Sequence, residues 1–581
     1  MAITISKRKS KSSKKDVDGK DSCLTDVFLC KFLYRIPIAI FFLLLIFLWS
    51  SSTTIISGNI VHLCVSSRKL NNLYCISAGA QPNFELPIPV ISNGSSTSSA
   101  SAINGDKKKE EHKFEIPIPR MSNGSSTIST SAINGELKKV NVLEVVRDDS
   151  DPIFRDIVRE DEDEVVNAVK VVEEQLQALR SWTADKNQKG CDGKGIYVYD
   201  LPSKFNKDLV GQCGDMVPWM DFCRYFKNEG LGEPILKLGK GWYRTHQYSL
   251  EPIFHARVLK HPCRVYDENQ AKLFYVPFYG GLDILRWHFK NVSNDVKDSF
   301  GLELIKWLET RKPWARNSGK DHVFVLGKIS WDFRRKQNSW GTRFLELQQM
   351  QNPAKLLIER QPWHANDIGI PHPTYFHPHS DEDIISWQTK IISSYRKHLV
   401  SFAGAARPEA PENIRSILIK QCTSQDNYKC QFLDCNSGGC NQPESVIELF
   451  VESEFCLQPP GDSPTRKSVF DSLVAGCIPV LFDPFTAYYQ YPWHLPQDHG
   501  KYSVFIDQKE VRDMKVNVVE RLMKISKKER DDMRRFIVYE LLPGLVYGDI
   551  DSKFEKFQDA FSVTMSNLLE RVNRLEEIKE S

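Results

Sequence analysis

The chain has 581 residues and a net charge of +3 at pH 7, from 77 Lys+Arg against 74 Asp+Glu. So small an excess gives no argument for nucleic-acid binding, and the length calls for more than one domain. The basic surplus is local: residues 1–35 hold nine Lys and Arg, and the chain then turns apolar.

Ile36–Ile56 is 21 residues without a charge. About 20 such residues span a bilayer core. Beyond that run, Arg68 and Lys69 are the only basic residues before residue 107. The positive-inside rule therefore predicts a single-pass type II anchor, with residues 1–35 as cytosolic tail and 36–56 as transmembrane helix. A cleaved signal peptide has a shorter apolar core, roughly 7–15 residues. Cys30 sits beside the span, either as a palmitoylation site or as a bystander thiol.

Residues 57–190 read as a lumenal stem. Within it, Phe84-Glu-Leu-Pro-Ile-Pro returns as Phe114-Glu-Ile-Pro-Ile-Pro, and Ser92-Asn-Gly-Ser-Ser-Thr as Ser122-Asn-Gly-Ser-Ser-Thr. Two Ser/Gly/Pro-rich copies bury no core, so a duplicated spacer is expected. Asn93 and Asn123 are glycosylation acceptors by sequence, as is Asn291 further on. From Ile153 to Trp182 the pattern is helical, with Val165, Val169, Val172, Leu176 and Leu179 on one face. About two heptads are too few to argue for a coiled coil, so this helix either packs on the folded part or dimerises.

Ten of the 14 cysteines lie between Cys191 and Cys477. In a secretory lumen they read as disulfides, with the pairing left open. Cys422, Cys430, Cys435 and Cys440 are separated by seven, four and four residues, which fits no familiar zinc pattern. From Cys191 on, apolar strands (Gly195–Asp200, Ala271–Phe278, His322–Gly327, Leu356–Glu359, Leu399–Ala403) alternate with helical stretches (Leu250–Leu259, Leu302–Thr310, Asp383–His398, Ile414–Gln421). Such alternation predicts parallel sheets that bind ligands at the carboxyl ends of their strands. The expected fold class is α/β, as two domains facing a cleft, 191–395 and 396–581, the second ending in a closing helix.

The most informative stretch is Phe455 to Val480. It reads as a strand to Gln458, a Gly/Pro loop and a helix, with Ser463 as N-cap, Pro464 at the first helical position and Gly476 as a left-handed cap. Arg466 and Lys467 then fall where the helix dipole is positive, a misplacement that a diphosphate resolves. Asp471, further up the helix, is placed to hold ribose hydroxyls. The plainer reading is an i,i+4 pair of Lys467 with Asp471.

Several segments carry a family likeness: Ile196-Tyr-Val-Tyr-Asp-Leu-Pro202, Phe274-Tyr-Val-Pro-Phe-Tyr-Gly-Gly-Leu-Asp283, Gly319-Lys-Asp-His-Val-Phe, Trp331-Asp-Phe-Arg-Arg335, Pro371-His-Pro-Thr-Tyr-Phe-His-Pro378 and Ser401-Phe-Ala-Gly-Ala-Ala-Arg-Pro408. With the Phe455–Val480 block they resemble glycosyltransferase family 47, the exostosin-like family, over about residues 195–560, and most of all its plant xyloglucan galactosyltransferases. Around Ser249-Leu-Glu-Pro-Ile-Phe-His and Leu542-Pro-Gly-Leu-Val-Tyr-Gly548 the likeness is to members acting on the second xylosyl branch of each xyloglucan repeat. The resemblance implies a GT-B fold of two Rossmann-like domains, UDP-galactose as donor substrate with no further cofactor, and inverting transfer in β-1,2 linkage onto xyloglucan. It also implies a Golgi membrane enzyme, with other wall glycosyltransferases as possible oligomeric partners. The alternatives are a sibling moving galacturonic acid or arabinose, and a non-catalytic partner in a wall-synthesis complex. The stem repeat has no part in the likeness.

Inverting transfer needs a base for the acceptor hydroxyl and charge stabilisation for departing UDP. Asp381-Glu382-Asp383 has the spelling of a metal-binding Asp-x-Asp but begins a helix, where acidic residues are ordinary caps, and Asp549-Ile550-Asp551 lies in a late loop. The leaving-group charge is therefore assigned without a metal: to Arg466 first, with Ser463, Thr465 and Lys467 as further donors, and to Gly404 and Arg415 as a second phosphate-facing pair. His372, His377 and His379 lie in a proline-broken loop and read as acceptor-groove lining rather than metal ligands. Trp242, Trp287, Trp331, Trp363 and Trp493 either stack on sugars or fill cores. Asp283 is the first choice for the base, since it follows an apolar strand and the Tyr279-Gly280-Gly281 turn; the competing reading is a cap for the helix at Ile284. Glu251 and His246 are its rivals.

Overall fold

The computed structural model describes residues 61–66, 73–78, 152–184, 191, 193–218, 220–335, 340–407 and 410–580. The anchor, the stem repeat, Cys30, Asn93 and Asn123 lie outside the described residues. Among those described, no helix is long and apolar enough to cross a membrane. Asn291 is exposed.

Strands β1 (Val61–Ser66) and β2 (Leu73–Ala78) form a two-stranded sheet. Two wholly parallel sheets follow. The first holds β3 (Gly195–Val198), β4 (Arg264–Val265), β5 (Ala271–Val276), β6 (His322–Ile329), β7 (Ala354–Glu359) and β8 (Asp367–Gly369), in the order β4-β3-β5-β6-β7-β8. The second holds β9 (His398–Gly404), β10 (Cys430–Asp434), β11 (Ser453–Gln458), β12 (Ile478–Leu481) and β13 (Val504–Phe505), in the order β10-β9-β11-β12-β13. Central strands such as Leu273–Val276 and Val323–Leu326 are buried residue after residue, as a parallel sheet covered on both faces requires.

The helices used below are α1 (Pro152–Ser181), α2 (Leu250–Leu259), α3 (Gly280–Trp287), α4 (Asn294–Glu309), α5 (Asp381–Ser393), α6 (Ile414–Thr423), α7 (Lys467–Val474) and α8 (Ala560–Glu580). Two differ most from the sequence reading. α4 begins at Asn294 rather than Leu302 because Ser293 caps it, accepting from Val296 N–H. α5 stops at Ser393 rather than His398 because Ser394 is already extended and leads into β9.

On one face of the first sheet, Phe274, Val276, Phe324 and Leu326 pack with Leu304 and Leu308 of α4. On the other, Ile196, Leu273 and Val323 pack with α2 and with Phe561, Met565 and Leu568 of α8. The closing helix thus returns to the first sheet, not the second. The second sheet packs Val400, Phe455 and Val480 with Leu418 of α6 and Phe470 of α7.

The apolar face of α1 is spent on the same core. Ala168, Val172, Leu176 and Leu179 are buried, and Leu179 and Trp182 join the cluster around α8. Trp493 donates its indole N–H to Leu179 O at 2.8 Å, and Ala184 N–H reaches Asn567 Oδ1 at 2.8 Å. From Ala168 on, α1 is covered by its own chain, which decides against dimerisation through this face. All ten cysteines from Cys191 to Cys477 are paired, as Cys191–Cys263, Cys213–Cys223, Cys422–Cys430, Cys435–Cys440 and Cys456–Cys477.

Candidate functional site

β11 ends at Gln458, and α7 begins at Lys467 with Arg466 in the N-cap position. The sequence reading placed the cap at Ser463 and Pro464 at the first helical position, three residues too early. Thr465 accounts for the difference. Its N–H and hydroxyl both donate to Glu359 Oε2, at 2.9 and 2.6 Å, drawing the chain across to the end of β7 before it turns helical. At the other end, Gly476 at φ +64° closes the helix as expected, with its N–H on Leu473 O and that of Cys477 on Ser472 O.

Three guanidinium groups converge on the connecting loop. Arg415, in the first turn of α6, donates to Pro460 O at 3.1 Å, and Arg466 donates to Pro459 O at 3.2 Å. Arg407 pairs with Asp462. Gly461 leaves room for the first of them: a Cβ there would lie a tight 3.0 Å from Arg415 Nη2 and an ordinary 3.6 Å from Arg466 Nη1. Burial first, then the charges of Arg415 and Arg407, push Arg466 down to about 10. Arg415 is likewise lowered, by burial and then by Arg407. These like charges face one another over backbone carbonyls, an arrangement that a bound diphosphate would complement.

Lys467 does not join them. Its Nζ lies 2.8 Å from both Asp471 oxygens and 3.1 Å from the centroid of the Tyr375 ring. This is the i,i+4 pair of the plainer reading, and it corrects the assignment of Asp471: a carboxylate 3 % exposed and bound to Lys467 is not turned to a ribose. Thr465 spends both donors on Glu359 rather than on a phosphate. Gly404 ends β9, where a Cβ would meet the Phe402 ring at 2.4 Å, and its carbonyl accepts from Cys435 N–H; its need for glycine is local packing. Ser463 stays in the loop, its carbonyl accepting from Gly461 N–H. Of the assigned donor-binding residues, Arg415 and Arg466 come together with Ser463 beside them, and Arg407 completes a set that sequence reasoning left without it.

Asp283 lies in the first turn of α3, 2 % exposed, and its Oδ1 accepts from Arg286 Nε at 2.9 Å and Nη2 at 2.6 Å. Tyr279, not Asp283, occupies the N-cap position, so capping is not its role. Burial lifts its pKa to about 6 against the pull of Arg286. It also lines a cavity of about 160 Å³.

The two rivals serve the scaffold. Glu251 is sealed from solvent and accepts backbone N–H groups of Gly281 at 2.6 Å, Leu282 at 3.3 Å and Gly327 at 3.0 Å, tying α2 to α3 and β6. Burial raises its pKa to about 8, but its oxygens already have their donors. His246 accepts from Tyr248 N–H at Nδ1, which puts the proton of the neutral ring on Nε2. Burial, then Lys467 and Lys328, drive its pKa to about 3, so the ring stays neutral and is a weak base whose one lone pair is already taken by Tyr248 N–H.

Glu359 was missed, though Leu356-Leu-Ile-Glu359 carries the signal: an apolar strand of a parallel sheet ending in a carboxylate at its ligand-binding edge. Burial pushes it up to about 7 from an ordinary 4.5. A carboxyl that binds its proton more tightly folded than unfolded favours the fold most below the unfolded value, and that favour is lost as pH rises through about 7. Relative to Glu359→Gln, the wild type is expected to lose on the order of 3 kcal/mol of stability between about pH 4.5 and 7. Melting curves of both proteins across that window check this, and a flat difference would refute it.

The remaining acidic motifs, with His377 and His379, are tied into the fold. Asp381 accepts from the N–H groups of Glu555, Lys556 and Phe557, and Asp383 forms a capping box with Ser380. Asp549 pairs with His379, Asp551 with Lys260, and His377 bridges Thr245 Oγ1 and Tyr547 O. Among the described residues, no three His, Cys, Asp or Glu side chains are grouped to hold a metal. Trp242 and Trp493 are core residues.

The exostosin GT47 domain family matches residues 190–522, more than half of the chain. The chain belongs to glycosyltransferase family 47. Three family relatives from Arabidopsis thaliana are similar to it. The xyloglucan-specific galacturonosyltransferase 1 is 52% identical over 98% of this chain and 96% of its own length. The probable xyloglucan galactosyltransferase GT20 is 52% identical over 98% and 99%, and the xyloglucan galactosyltransferase MUR3 is 42% identical over 69% and 65%. Arg407, Arg415, Arg466, Glu359 and Asp283 all fall inside the matched family 47 region.

Proposed function

We propose that this chain is a xyloglucan galactosyltransferase, moving galactose from UDP-galactose with inversion onto xylosyl side chains in β-1,2 linkage. The reading rests on Arg407, Arg415 and Arg466 gathered on one loop at the carboxyl end of β11, with Thr465 of that loop bound to Glu359 at the carboxyl end of β7. Ligands of parallel sheets bind at such edges. The two sheets are read as the halves of a GT-B fold, and Ile36–Ile56 as the anchor in the Golgi membrane.

In this mechanism the acceptor hydroxyl passes its proton to Asp283 as its oxygen attacks C1 of the donor sugar. The bond from C1 to the UDP oxygen breaks, and the charge that develops on the diphosphate is met by Arg466 and Arg415. Fixed donors aimed at developing charge lower the barrier because they need no reorganisation. Cations already stand where a metal would act, so activity is expected to survive EDTA. A strong loss restored by manganese would overturn that expectation.

A galacturonic acid donor is the second reading, favoured by the relative named for it at 52% identity. Full-length protein in detergent, offered UDP-galactose and UDP-galacturonate with xylosylated cello-oligosaccharide, decides between them by the mass of the product. Transfer from UDP-galacturonate alone reassigns the donor. No transfer from any UDP-sugar leaves a non-catalytic partner in wall synthesis.

A further inference from the structure

At the carboxyl end of β7, three successive residues of the first half of the chain bind the second half. Ile358 O accepts from the Tyr491 hydroxyl at 2.8 Å. Glu359 Oε2 accepts both the N–H and the hydroxyl of Thr465. Arg360 donates its N–H to Gln490 Oε1 at 2.8 Å and its Nε to Tyr489 O at 2.9 Å. β8 continues the seam: a Cβ on Gly369 would lie 2.0 Å from Gln490 O, so the two backbones are in direct contact there. The contact made by Glu359 is the one that reaches the loop between β11 and α7.

That loop has little of its own to hold it. Pro459, Pro460 and Pro464 give it no N–H groups. Arg407, Arg415 and Arg466 repel one another across it, with Asp462 as the offsetting charge. Without an anion, three like charges tend to spread the segment, and a segment ordered only by its ligand binds that ligand more weakly. Glu359 opposes this from outside the loop. It is buried, as is Thr465, and its two hydrogen bonds fix the residue immediately before Arg466.

We propose that Glu359 is a positioning residue for the donor: anchored in the first sheet, it keeps the arginine loop of the second preformed for a nucleoside diphosphate. The inference deepens the transferase reading above and rests on it for the identity of the anion. In this role Glu359 touches neither donor nor acceptor and acts through Thr465 on Arg466. Because the loop is ordered on folding, its entropy is not lost again when the diphosphate binds.

The test uses full-length protein in detergent, with UDP titrated calorimetrically beside thermal melts. Thr465→Val keeps the size and the N–H bond and removes the hydroxyl that Glu359 accepts, so UDP should bind about three- to tenfold more weakly. Glu359→Ala removes the acceptor of both bonds and should weaken UDP about ten- to hundredfold. Glu359→Gln keeps an oxygen for Thr465 and should hold UDP affinity within about twofold of the wild type. Adding Thr465→Val to Glu359→Ala should weaken UDP no further, since the two changes break one interaction. Tyr491→Phe removes a bond of the same seam that misses the loop, so it should lower the melting temperature and leave UDP affinity unchanged. Lower melting temperatures with unchanged UDP affinity in Thr465→Val and Glu359→Ala would overturn the assignment, as would an equal loss of affinity in Tyr491→Phe. Normal UDP affinity with no transfer in Glu359→Gln would overturn it too, by making Glu359 a catalytic group. UDP binding that Thr465→Val weakens and Glu359→Gln spares, in a protein that transfers no sugar, would support the positioning role and sink the proposed function instead.

Discussion

Arg466→Ala is expected to cut turnover by about 10²–10³ and leave the melting temperature at or above that of the wild type. The two halves of that expectation have one cause. The Arg466 guanidinium is partly buried, bonded to the Pro459 carbonyl and Ser468, and pushed down to about 10 by burial and by Arg415 and Arg407. Without an anion, removing it relieves repulsion; with departing UDP, removing it takes away the nearest compensating charge. Lys467→Ala is the informative contrast. Asp471 would be left buried without its cation, at a cost of about 3–5 kcal/mol, so that variant should lose stability before anything else. Steady-state kinetics beside thermal melts separate the two, and near-normal turnover in Arg466→Ala moves the donor site elsewhere.

Asp283→Asn should lower transfer by about 10²–10⁴, the usual worth of a positioned base. Asparagine keeps the shape and the oxygen that accepts from Arg286, so UDP affinity should barely move, and because burial disfavours the charged form the melting temperature above pH 6 should hold or rise. A base must be ionised to act, and Asp283 ionises near pH 6. Wild-type kcat/KM should therefore rise with pH through about 6, and the residual activity of the variant should lack that limb. A fully active Asn variant would pass the role to Glu359, the carboxylate that meets the donor loop.

The central strands were legible because buried parallel strands write themselves as unbroken apolar runs, whereas the edge strands β4, β8, β10 and β13 were not read. α2 was read with its full bounds because Leu250–Leu259 is bracketed by plain turn residues. The loop between β11 and α7 was legible in kind: a Gly/Pro loop was read between strand and helix, and Arg415 and Arg466 were singled out. Its details were not, because they are set by a partner about a hundred residues away. Nothing local to Ser463-Pro464-Thr465 tells that Thr465 is held by Glu359, and without that contact Ser463 is the better cap. Glu251 and His246 misled for the same reason. A carboxylate or imidazole near a helix start looks free in sequence, and only the fold reveals the backbone N–H groups that already occupy it. Local grammar fixes elements; long-range hydrogen bonds decide which side chains are left for chemistry.

The docking of α1 moves the edge of the working body upstream. A polypeptide begun at Cys191 would strip Leu179 and Trp182 from the flank of α8, uncover the Met565 and Leu568 side chains, and leave the Trp493 indole without its acceptor. Shortening the chain for expression thus has a lower bound no later than Ala168, not at the first strand. By the same measure, Ala168–Trp182 belongs to the folded body and not to whatever precedes it.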